Sequence, residues 1–381
     1  MISINDKSKC SGCSACMSIC PKRAISMVSD VKGFQYPEVN LNLCINCNLC
    51  NKICPILNDR EKDDEILTSY AGYYINDNIR YDSSSGGIFS LIAEYVLKND
   101  GIVFGAMFDS NYMVYHNYIE SIDDLYKLRG SKYLQSRIES SFIDCKNFLN
   151  ANRLVLFTGT ECQISGLKSF LNKDYDNLIT IDVLCHGVPS PKLWKKYLEY
   201  KKINISKNIN FRNKNTGWKN YSLSIEGEKN NKYYQYIKSH DLDPYMSLFL
   251  NNICLRDSCY DCKFKKLKRS SDFTLGDAWG IGSINSNLDD DKGTSIIITH
   301  TKKGEEILKI ISKDLVLAKY DIDLLLPPYS ASRKSVKKHE KYDVFFGMLE
   351  DDNISFDKFQ KLVKVSFIVK CTRKIKRVFK R

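Results

Sequence analysis

The 381-residue sequence lacks the features of a secreted or membrane-spanning protein. No apolar segment of a signal peptide precedes the first cysteine, Cys10. No apolar run approaches the roughly 20 residues that cross a bilayer. No Ser/His/Asp or paired-carboxylate constellation indicates hydrolysis. From these absences we expect a soluble, cytoplasmic protein that is not a hydrolase.

Acidic residues are missing from the last part of the chain. Residues 358–381 hold seven Lys and three Arg without Asp or Glu, so this tail carries +10 of the net charge of +12. A nucleic-acid footprint needs basic residues spread over a folded face, so no nucleic-acid partner is expected. A basic helix with apolar residues such as Phe359, Leu362 and Val363 is instead compatible with peripheral contact to a membrane or a partner, or with full solvation.

Cysteine, in contrast, is abundant. The chain holds 15 cysteines. Those that lie before Pro55 form two sets, and within each set neighbouring cysteines are three or four residues apart. Such spacing is too close for ordinary disulfide partners. In a chain without a secretion signal it indicates metal ligands.

The two sets share the spacing of bacterial two-cluster ferredoxins. The first set is Cys10, Cys13, Cys16 and Cys20, followed by Pro21; the second is Cys44, Cys47, Cys50 and Cys54, followed by Pro55. In this pattern the fourth cysteine of each set ligates the other cluster. One 4Fe–4S cluster is therefore assigned to Cys10, Cys13, Cys16 and Cys54, and a second to Cys20, Cys44, Cys47 and Cys50. Two zinc sites are the alternative, but zinc ligands commonly form two close pairs.

A hairpin fits between the two sets. Ile25 and Met27 precede a turn at Lys32-Gly33, and the segment Phe34-Gln35-Tyr36 follows. The block is too small to fold on its apolar residues alone, so metal ligation must contribute to its folding.

The remainder of the chain predicts mixed α and β structure after a charged linker. Strands are predicted at 69–75, 102–107, 113–119, 154–157, 178–184 and 294–299, with strand-like sequence at 209–236. Helices are predicted at 88–97, 140–149, from 161 to about 171, at 191–200, 302–312 and 356–379. The fold class is α+β, a small bacterial-type two-cluster ferredoxin domain followed by a larger mixed α/β domain. The boundaries are 1–57 for the ferredoxin domain, 58–67 for the linker, 68–350 for the larger domain and 351–381 for the basic C-terminal helix.

Further cysteines lie in suggestive places beyond the ferredoxin block. Cys162 lies at a strand-to-helix turn, where a helix N-terminus stabilises a thiolate. Cys185 follows the next strand, and the carboxyl ends of neighbouring strands commonly build a site. Cys254, Cys259 and Cys262 come later within nine residues. Any one of these alone is more often a core cysteine; the compact pair Cys259 and Cys262 in a basic segment is favoured as ligands.

Several segments in this region resemble one family. They are 84–87 (SSGG), 129–136 (RGSKYLQS), 159–167 (GTECQISGL), 185–190 (CHGVPS), 211–214 (FRNK), the pair Cys259 and Cys262, and 276–280 (GDAWG). Together and in this order they resemble the beta subunits of coenzyme F420 hydrogenases and dehydrogenases, in the version fused to an N-terminal dicluster ferredoxin. Glu161 departs from that pattern, in which Pro usually precedes this cysteine.

The resemblance implies FAD and a third 4Fe–4S cluster in the larger domain. The implied cluster ligands are Cys162, Cys185, Cys259 and Cys262, with Cys254 in reserve. The implied flavin-binding residues are Ser85, Gly86, Gly87, Gly130, Ser131, Lys132, Gln135 and Ser136. Glycines let the backbone approach a pyrophosphate, whose charge meets N–H groups and the lysine. The alternatives are a plain loop before a helix, a solvated surface Lys132 and turn-capping Gln135 and Ser136. One interpretation of Asp277 and Trp279 is that they frame the site. The alternative is that Asp277 is a turn residue and Trp279 is a core indole.

The resulting hypothesis is an iron–sulfur flavoprotein oxidoreductase. Electrons would pass between a two-electron hydride carrier, for which the deazaflavin F420 is one candidate, and the ferredoxin-type clusters. Its partner would be a redox protein or a small electron carrier, and surface-polysaccharide synthesis is one candidate setting implied by the resemblance. The alternatives are a non-catalytic electron-carrier or docking module without a substrate pocket, and an interaction protein whose clusters serve folding alone.

Overall fold

The computed structural model describes residues 2, 6–58, 67–230 and 232–363. Its strands are β1 (Ile25–Ser29), β2 (Gln35–Val39), β3 (Thr68–Tyr74), β4 (Ile102–Phe108), β5 (Val114–Ile119), β6 (Val155–Thr160), β7 (Leu178–Val183), β8 (Asn204–Asn213), β9 (Ser222–Lys229), β10 (Lys232–Ser239), β11 (Phe273–Asp277), β12 (Ser295–Thr299) and β13 (Leu315–Tyr320). Its α-helices are α1 (Ala15–Ile19), α2 (Leu49–Lys52), α3 (Asp77–Asp82), α4 (Ile88–Lys98), α5 (Leu125–Leu128), α6 (Ser141–Asn150), α7 (Glu161–Leu171), α8 (Pro191–Lys201), α9 (Pro244–Leu250), α10 (Lys302–Ile311), α11 (Ile322–Leu325), α12 (Tyr342–Glu350) and α13 (Phe356–Val363). The predicted α+β class, a small ferredoxin domain followed by a larger mixed domain, is confirmed.

The ferredoxin domain consists of two matching halves joined by a hairpin. The predicted hairpin is confirmed, because β1 pairs with β2 antiparallel from Ile25 opposite Val39 to Ser29 opposite Gln35. Each cysteine set carries a short helix between its second and fourth cysteines. The residue before each helix, Ser14 or Asn48, has a left-handed backbone with φ of 64° and 62°. The internal repeat of the sequence is therefore also a repeat of backbone conformation.

The larger domain is built on an eight-stranded mixed sheet with the order β13-β3-β12-β11-β7-β6-β4-β5. The neighbouring pairs β4 with β6, β6 with β7, and β7 with β11 are parallel, and the outer pairs are antiparallel. The parallel centre explains the nearly continuous apolar sequence of these strands, since both faces of such a strand are covered. The carboxyl ends of β6, β7 and β11 meet at one edge of the sheet.

Helices cover both faces of this sheet, and the ferredoxin domain shares one of the two cores. Helices α4 and α10 pack on the first face. Helices α6 and α7 pack on the second face together with Cys13, Ala15 and Ile53 of the ferredoxin domain. The first cysteine set is therefore buried against the larger domain rather than attached to it through a linker alone.

A second, antiparallel sheet of the order β10-β9-β8 completes the larger domain. The strand-like sequence at 209–236 is thereby confirmed. Residues of β8 and β9 pack with α8, α9, α12 and α13 into one core that also takes up Phe34 and Tyr36 of the ferredoxin hairpin. The ferredoxin domain therefore contacts the larger domain through its hairpin as well as through its first cysteine set.

The C-terminal helix begins at Phe356 as predicted, and its course beyond Val363 lies outside the described residues. In the sequence, Phe359 and Val363 are compatible with apolar contact to a membrane or a partner. Their side chains instead pack into the core beside α12, with Phe359 fully buried, because the amphipathic period of α13 turns them inward. Within the described ranges, none of the helices is long and apolar enough to span a membrane. Residues 59–66 of the charged linker also lie outside the described part of the chain.

Candidate functional site

The four cysteines assigned to the second ferredoxin cluster surround one small cavity. Cys20, Cys44, Cys47 and Cys50 line this cavity of about 20 Å³. The Sγ of Cys20 accepts a hydrogen bond of 3.2 Å from the backbone N–H of Ala24, which is the kind of contact that stabilises a ligating thiolate. Cys47 is exposed. The arrangement fits a 4Fe–4S cluster that lies close to solvent.

The four cysteines assigned to the first cluster also converge, in a more buried place. Burial, with the nearby thiols of Cys10 and Cys54 adding to its effect, raises the pKa of Cys13 to about 12. Burial and the same neighbours, with Cys13, raise the pKa of Cys16. Buried thiols that repel each other's charge are poor thiolates unless a cation binds them. This donor set therefore fits a metal cluster.

The larger domain brings together a third group of cysteines, Cys162, Cys185, Cys259 and Cys262. Burial raises the pKa of Cys162, and its neighbours Cys262 and Cys185 add to the effect. Burial likewise raises the pKa of Cys259 to about 12, followed by the effect of Cys185. The backbone N–H of Val188 also points at the Sγ of Cys259, 3.4 Å away. Residues from three distant parts of the chain thus meet at the edge of the sheet.

The local structure explains how each of the first two members reaches this point. Thr160 ends β6 and caps α7 through a capping box with Gln163, so Cys162 lies in the first turn of the helix. Cys185 follows the carboxyl end of β7. The described residues include no group of three or more His, Cys, Asp or Glu side chains spaced to hold a single metal ion. A four-iron cube holds its thiolates further apart than one ion does, so this finding is compatible with a 4Fe–4S cluster.

Cys254, the reserve ligand, lies elsewhere. Its side chain is fully buried in the core with Tyr245 and Leu255. Burial raises the pKa of Cys254 above its ordinary range, and no other cysteine contributes to this shift. The structure therefore separates Cys254 from the third group.

Glu161 turns away from the cluster group, although it is adjacent to Cys162 in sequence. Its Oε1 accepts hydrogen bonds from the backbone N–H and the hydroxyl of Ser270, at 3.0 and 2.8 Å. Burial, followed by the nearby Asp182, raises the pKa of Glu161 to about 7. The residue that replaces the usual proline thus binds the loop that follows Cys262.

The three cysteine groups lie in a fixed order. Among the neighbours that raise the pKa of Cys162 is Cys13 of the first group. Cys16 and Cys54 of the first group share an apolar cluster with Cys50 of the second group. The first group therefore lies between the third and the second.

A large cavity of about 560 Å³ opens beside the third group. Cys162 and Cys185 line this cavity, whereas Cys259 and Cys262 do not. Seven of the eight residues implied for flavin binding also line it, namely Ser85, Gly87, Gly130, Ser131, Lys132, Gln135 and Ser136. The eighth, Gly86, lies behind the loop, where a Cβ would approach the carbonyl oxygen of Gly72 to 2.7 Å. The structure thus brings the two implied cofactor sites to one cavity.

The loop at 83–87 and the loop at 129–136 are held together across the cavity wall. The backbone N–H of Ser131 donates to the hydroxyl of Ser84 at 2.8 Å. The ammonium of Lys214 donates to the carbonyls of Arg80, Ser85 and Lys292 at 2.7, 2.8 and 2.7 Å. Sequence reasoning noted the segment that contains Lys214 but missed its role, which only the fold reveals.

Lys132 lies in the wall of the cavity rather than on the outer surface. Its ammonium donates to the carbonyls of Leu128, Arg129 and Gly130 at 3.4, 3.2 and 3.2 Å. Burial lowers the pKa of Lys132 to about 7. Gly130 has a left-handed backbone with φ of 85°, and the space beside its Cα is open. A cradle of this kind suits an anionic phosphate group.

Gln135 and Ser136 line the same cavity, but the Gln135 amide oxygen and the Ser136 hydroxyl are already engaged. The Gln135 Oε1 accepts a hydrogen bond of 3.0 Å from the backbone N–H of Gln35 in the ferredoxin hairpin. The Ser136 hydroxyl pairs at 2.7 Å with Nδ1 of His116, a buried histidine that sequence reasoning missed. Burial lowers the pKa of His116 to about 4, so this ring is neutral.

Aromatic rings and one buried ion pair form the far wall. Trp279 stacks on Trp218 with ring centroids 4.4 Å apart, and it is 49% exposed, so the interpretation as a core indole is wrong. Arg212 donates two hydrogen bonds to the carboxylate of Asp277, at 2.8 and 3.1 Å. The Arg212 Nε is buried and has no hydrogen-bond partner among the described residues. A flat ring with an acceptor atom would suit this wall.

Comparison with known proteins identifies the two domains. Residues 152–323 match the family of the C-terminal part of the beta subunit of coenzyme F420 hydrogenase/dehydrogenase. Residues 9–57 match the 4Fe-4S dicluster domain. An uncharacterized ferredoxin of Methanocaldococcus jannaschii is 36% identical over 52 residues, which are 14% of this chain and 66% of that protein. A chain of the F420-reducing NiFe hydrogenase complex of Methanosarcina barkeri is 18% identical, with 79% of this chain and 93% of that chain covered and a TM-score of 0.45.

The fold and the cysteine groups define an iron–sulfur protein, and the matched domains together support an oxidoreductase that transfers electrons. More particularly, the larger domain contains the C-terminal domain of the coenzyme F420 hydrogenase/dehydrogenase beta subunit over residues 152–323, and the N-terminal domain is a 4Fe-4S dicluster domain.

Proposed function

We propose that the protein is an iron–sulfur flavoprotein oxidoreductase with three 4Fe–4S clusters and one FAD. The observation that carries this proposal is the shared cavity: loops of the type that bind a flavin pyrophosphate and two cysteines of the third group line the same space. A redox cofactor in this cavity would lie directly beside a cluster.

The residues of the chain have distinct roles in this proposal. The open backbone at Gly130 and the ammonium of Lys132 would bind the pyrophosphate. Trp279 and Arg212 would contact the flat ring. A bound flavin supplies the ability to accept a hydride and release its two electrons singly.

The order of the cysteine groups supports a serial arrangement of the clusters. Cys162 of the third group is near Cys13 of the first group, and Cys50 of the second group shares an apolar cluster with Cys54. Electrons would therefore pass between the cavity and the exposed Cys47 through three clusters in series, in whichever direction the carrier and the redox partner dictate.

The family name makes the deazaflavin F420 a candidate for the hydride carrier. The volume of the cavity lies within the range of about 300–1,000 Å³ that is common for cofactor sites. We therefore propose that it holds the ring system of the flavin and that of the carrier next to each other. We propose a small two-electron carrier as the substrate class and F420 as the first compound to assay.

The test is anaerobic purification followed by iron, sulfide and flavin quantitation on one sample. About twelve irons and about one FAD per chain are expected. In the Cys262→Ser variant about four irons should be lost, while Cys254→Ser, the matched control from the adjacent core, should keep all of them. About eight irons and no flavin in the wild-type protein would replace the proposal with the alternative, an electron carrier without a substrate pocket.

A further inference from the structure

Two basic segments flank the third cysteine group. Residues 263–269, which directly follow Cys262, hold four Lys and one Arg and no acidic residue. Residues 333–341 hold four Lys, one Arg and a single acidic residue, Glu340. The chain before residue 358 is close to neutral overall, so this concentration of positive charge is local.

Hydrogen bonds hold the two segments side by side. The backbone N–H of Cys262 donates to the hydroxyl of Ser335 at 2.8 Å. The ammonium of Lys265 donates to the carbonyl of Ala331 at 2.7 Å. Ala331 also lines the large cavity. The two segments therefore form one surface at the third group and beside the cavity, which we call the basic face.

Among the described residues, acidic side chains pair with part of the charge on the basic face. Arg269 pairs with Asp182, and Arg333 pairs with Asp323, each at 2.6 Å. Lys338 lies 3.4 Å from Asp257. The side chains that are exposed include those of Lys268, Lys334 and Lys337. The face thus presents a net positive charge to solvent.

The surface around the second cluster has the opposite character. Residues 39–51 include no Lys, Arg, Asp or Glu. The side chains exposed there are uncharged, and they include the apolar Leu41, Leu43 and Ile45. The two ends of the cysteine series therefore offer different chemistry to a partner, and the charged end is the one at the third group.

We propose that the basic face docks an acidic redox protein that exchanges electrons with the third cluster. This inference rests on the proposed function, because it requires a cluster at Cys262. Complementary charge accelerates the encounter of redox proteins whose contact areas are small. A membrane is disfavoured as the occupant, since none of the large hydrophobic side chains that are exposed in the described residues lies in 263–269 or 333–341.

The experiment uses flavodoxin, a small acidic flavoprotein, as the probe. The full-length protein is reduced with dithionite, freed of excess reductant and mixed with oxidised flavodoxin in a stopped-flow instrument at low and high salt. The test variant carries Lys268→Glu, Lys334→Glu and Lys337→Glu. The matched control carries Lys302→Glu, Lys309→Glu and Lys313→Glu, which change the same charge at exposed positions in and after α10, packed on the other face of the sheet.

At low salt the second-order rate constant with flavodoxin should fall at least about ten-fold in the test variant and stay within about two-fold in the control. The dependence of the rate on salt should disappear in the test variant only. With a basic c-type cytochrome as the acceptor, the rate constant should be higher for the test variant than for the wild-type protein.

Unchanged flavodoxin rates in a test variant that keeps about twelve irons would overturn the docking proposal alone. A wild-type protein with about eight irons would instead overturn the proposed third cluster. The wild-type protein could instead bind phosphatidylserine vesicles or duplex DNA, and the test variant could lose this binding while its flavodoxin rates stay unchanged. That result would assign the basic face to the other partner and would also overturn the proposal.

Discussion

Gly166 lies directly against Cys13. A Cβ built on Gly166 would be 2.9 Å from the Cβ of Cys13 and 3.1 Å from its Sγ. Gly166 belongs to α7, whose first turn carries Cys162. The helix that presents one ligand of the third group therefore also forms the wall of the first group, and the absence of a side chain sets how closely the two approach.

Replacing Gly166 by Ala should disturb the first cluster. A contact below 3.0 Å forces Cys13 or the helix to move, and overpacking of this kind costs about 1–3 kcal/mol. We expect Gly166→Ala to lower the iron content and the unfolding temperature. Gly347→Ala is the matched control, because Gly347 lies in α12 and a Cβ there has nothing within 4 Å. Equal iron content and stability in both variants would contradict this account of the contact.

Arg256 joins the ferredoxin domain to the larger domain. It is 1% exposed. Its Nε donates to the carbonyl of Cys10 at 2.8 Å and its Nη2 to the carbonyl of Gln35 at 3.0 Å. The guanidinium also lies 4.0 Å from the ring centroid of Tyr36.

Arg256→Gln should make the reduction potential of the first cluster more negative. A buried positive charge beside the cluster favours the reduced form, which carries one more negative charge. The lost hydrogen bonds should also destabilise the protein by about 1.5–3 kcal/mol each. An EPR-monitored redox titration measures the potential. Arg256→Lys keeps the charge and should restore most of the potential but not the stability; an unchanged potential in Arg256→Gln would show that the arginine is structural only.

The affinity for FAD should decrease as the pH rises through about 7. The pKa of Lys132 in the free protein is lowered by burial to about 7, so its ammonium loses the proton above that pH. A bound pyrophosphate favours the charged form, so binding takes up a proton at higher pH and weakens by up to about ten-fold per pH unit. Fluorescence titration of flavin-depleted protein between about pH 6 and 9 measures this dependence, given the range in which the group titrates. Lys132→Met should bind FAD weakly with little pH dependence, and a flat profile in the wild-type protein would exclude Lys132 from the phosphate site.

Asp277→Asn should destabilise the far wall of the cavity. The substitution leaves the guanidinium of Arg212 buried without its carboxylate and weakens the bond from the Trp218 indole N–H, which is 3.0 Å long. Removing one partner of a buried pair costs about 3–5 kcal/mol. Asp124→Asn, in the exposed pair with Lys127, should cost less than about 1 kcal/mol. Chemical unfolding compares the two variants, and similar losses would contradict the importance of burial.

The sequence predicted the parts of the molecule that depend on local spacing. The two cysteine sets repeat at short, regular intervals, and the buried strands stand out as apolar runs between turns. The third group was reached through resemblance, since Cys162, Cys185 and Cys262 are distant in sequence and no single spacing joins them.

The contacts made between domains could not be predicted in this way. The role of Arg256 depends on where the ferredoxin hairpin packs, and that of Lys214 depends on three carbonyls from separate loops. Gln135 was assigned to the flavin by resemblance, yet its amide binds the hairpin. Cys254 lies only five residues before Cys259 but faces the core, because the chain turns between them.

The burial of Cys13, Ala15 and Ile53 in the same core as α6 and α7 has a consequence for the cell. A chain that receives no iron would leave that core open in both domains, so the larger domain would be exposed to proteases together with the ferredoxin domain. Iron starvation would then lower the abundance of the whole protein instead of leaving an intact, cluster-free apoenzyme, and the supply of this protein would follow the supply of the metal.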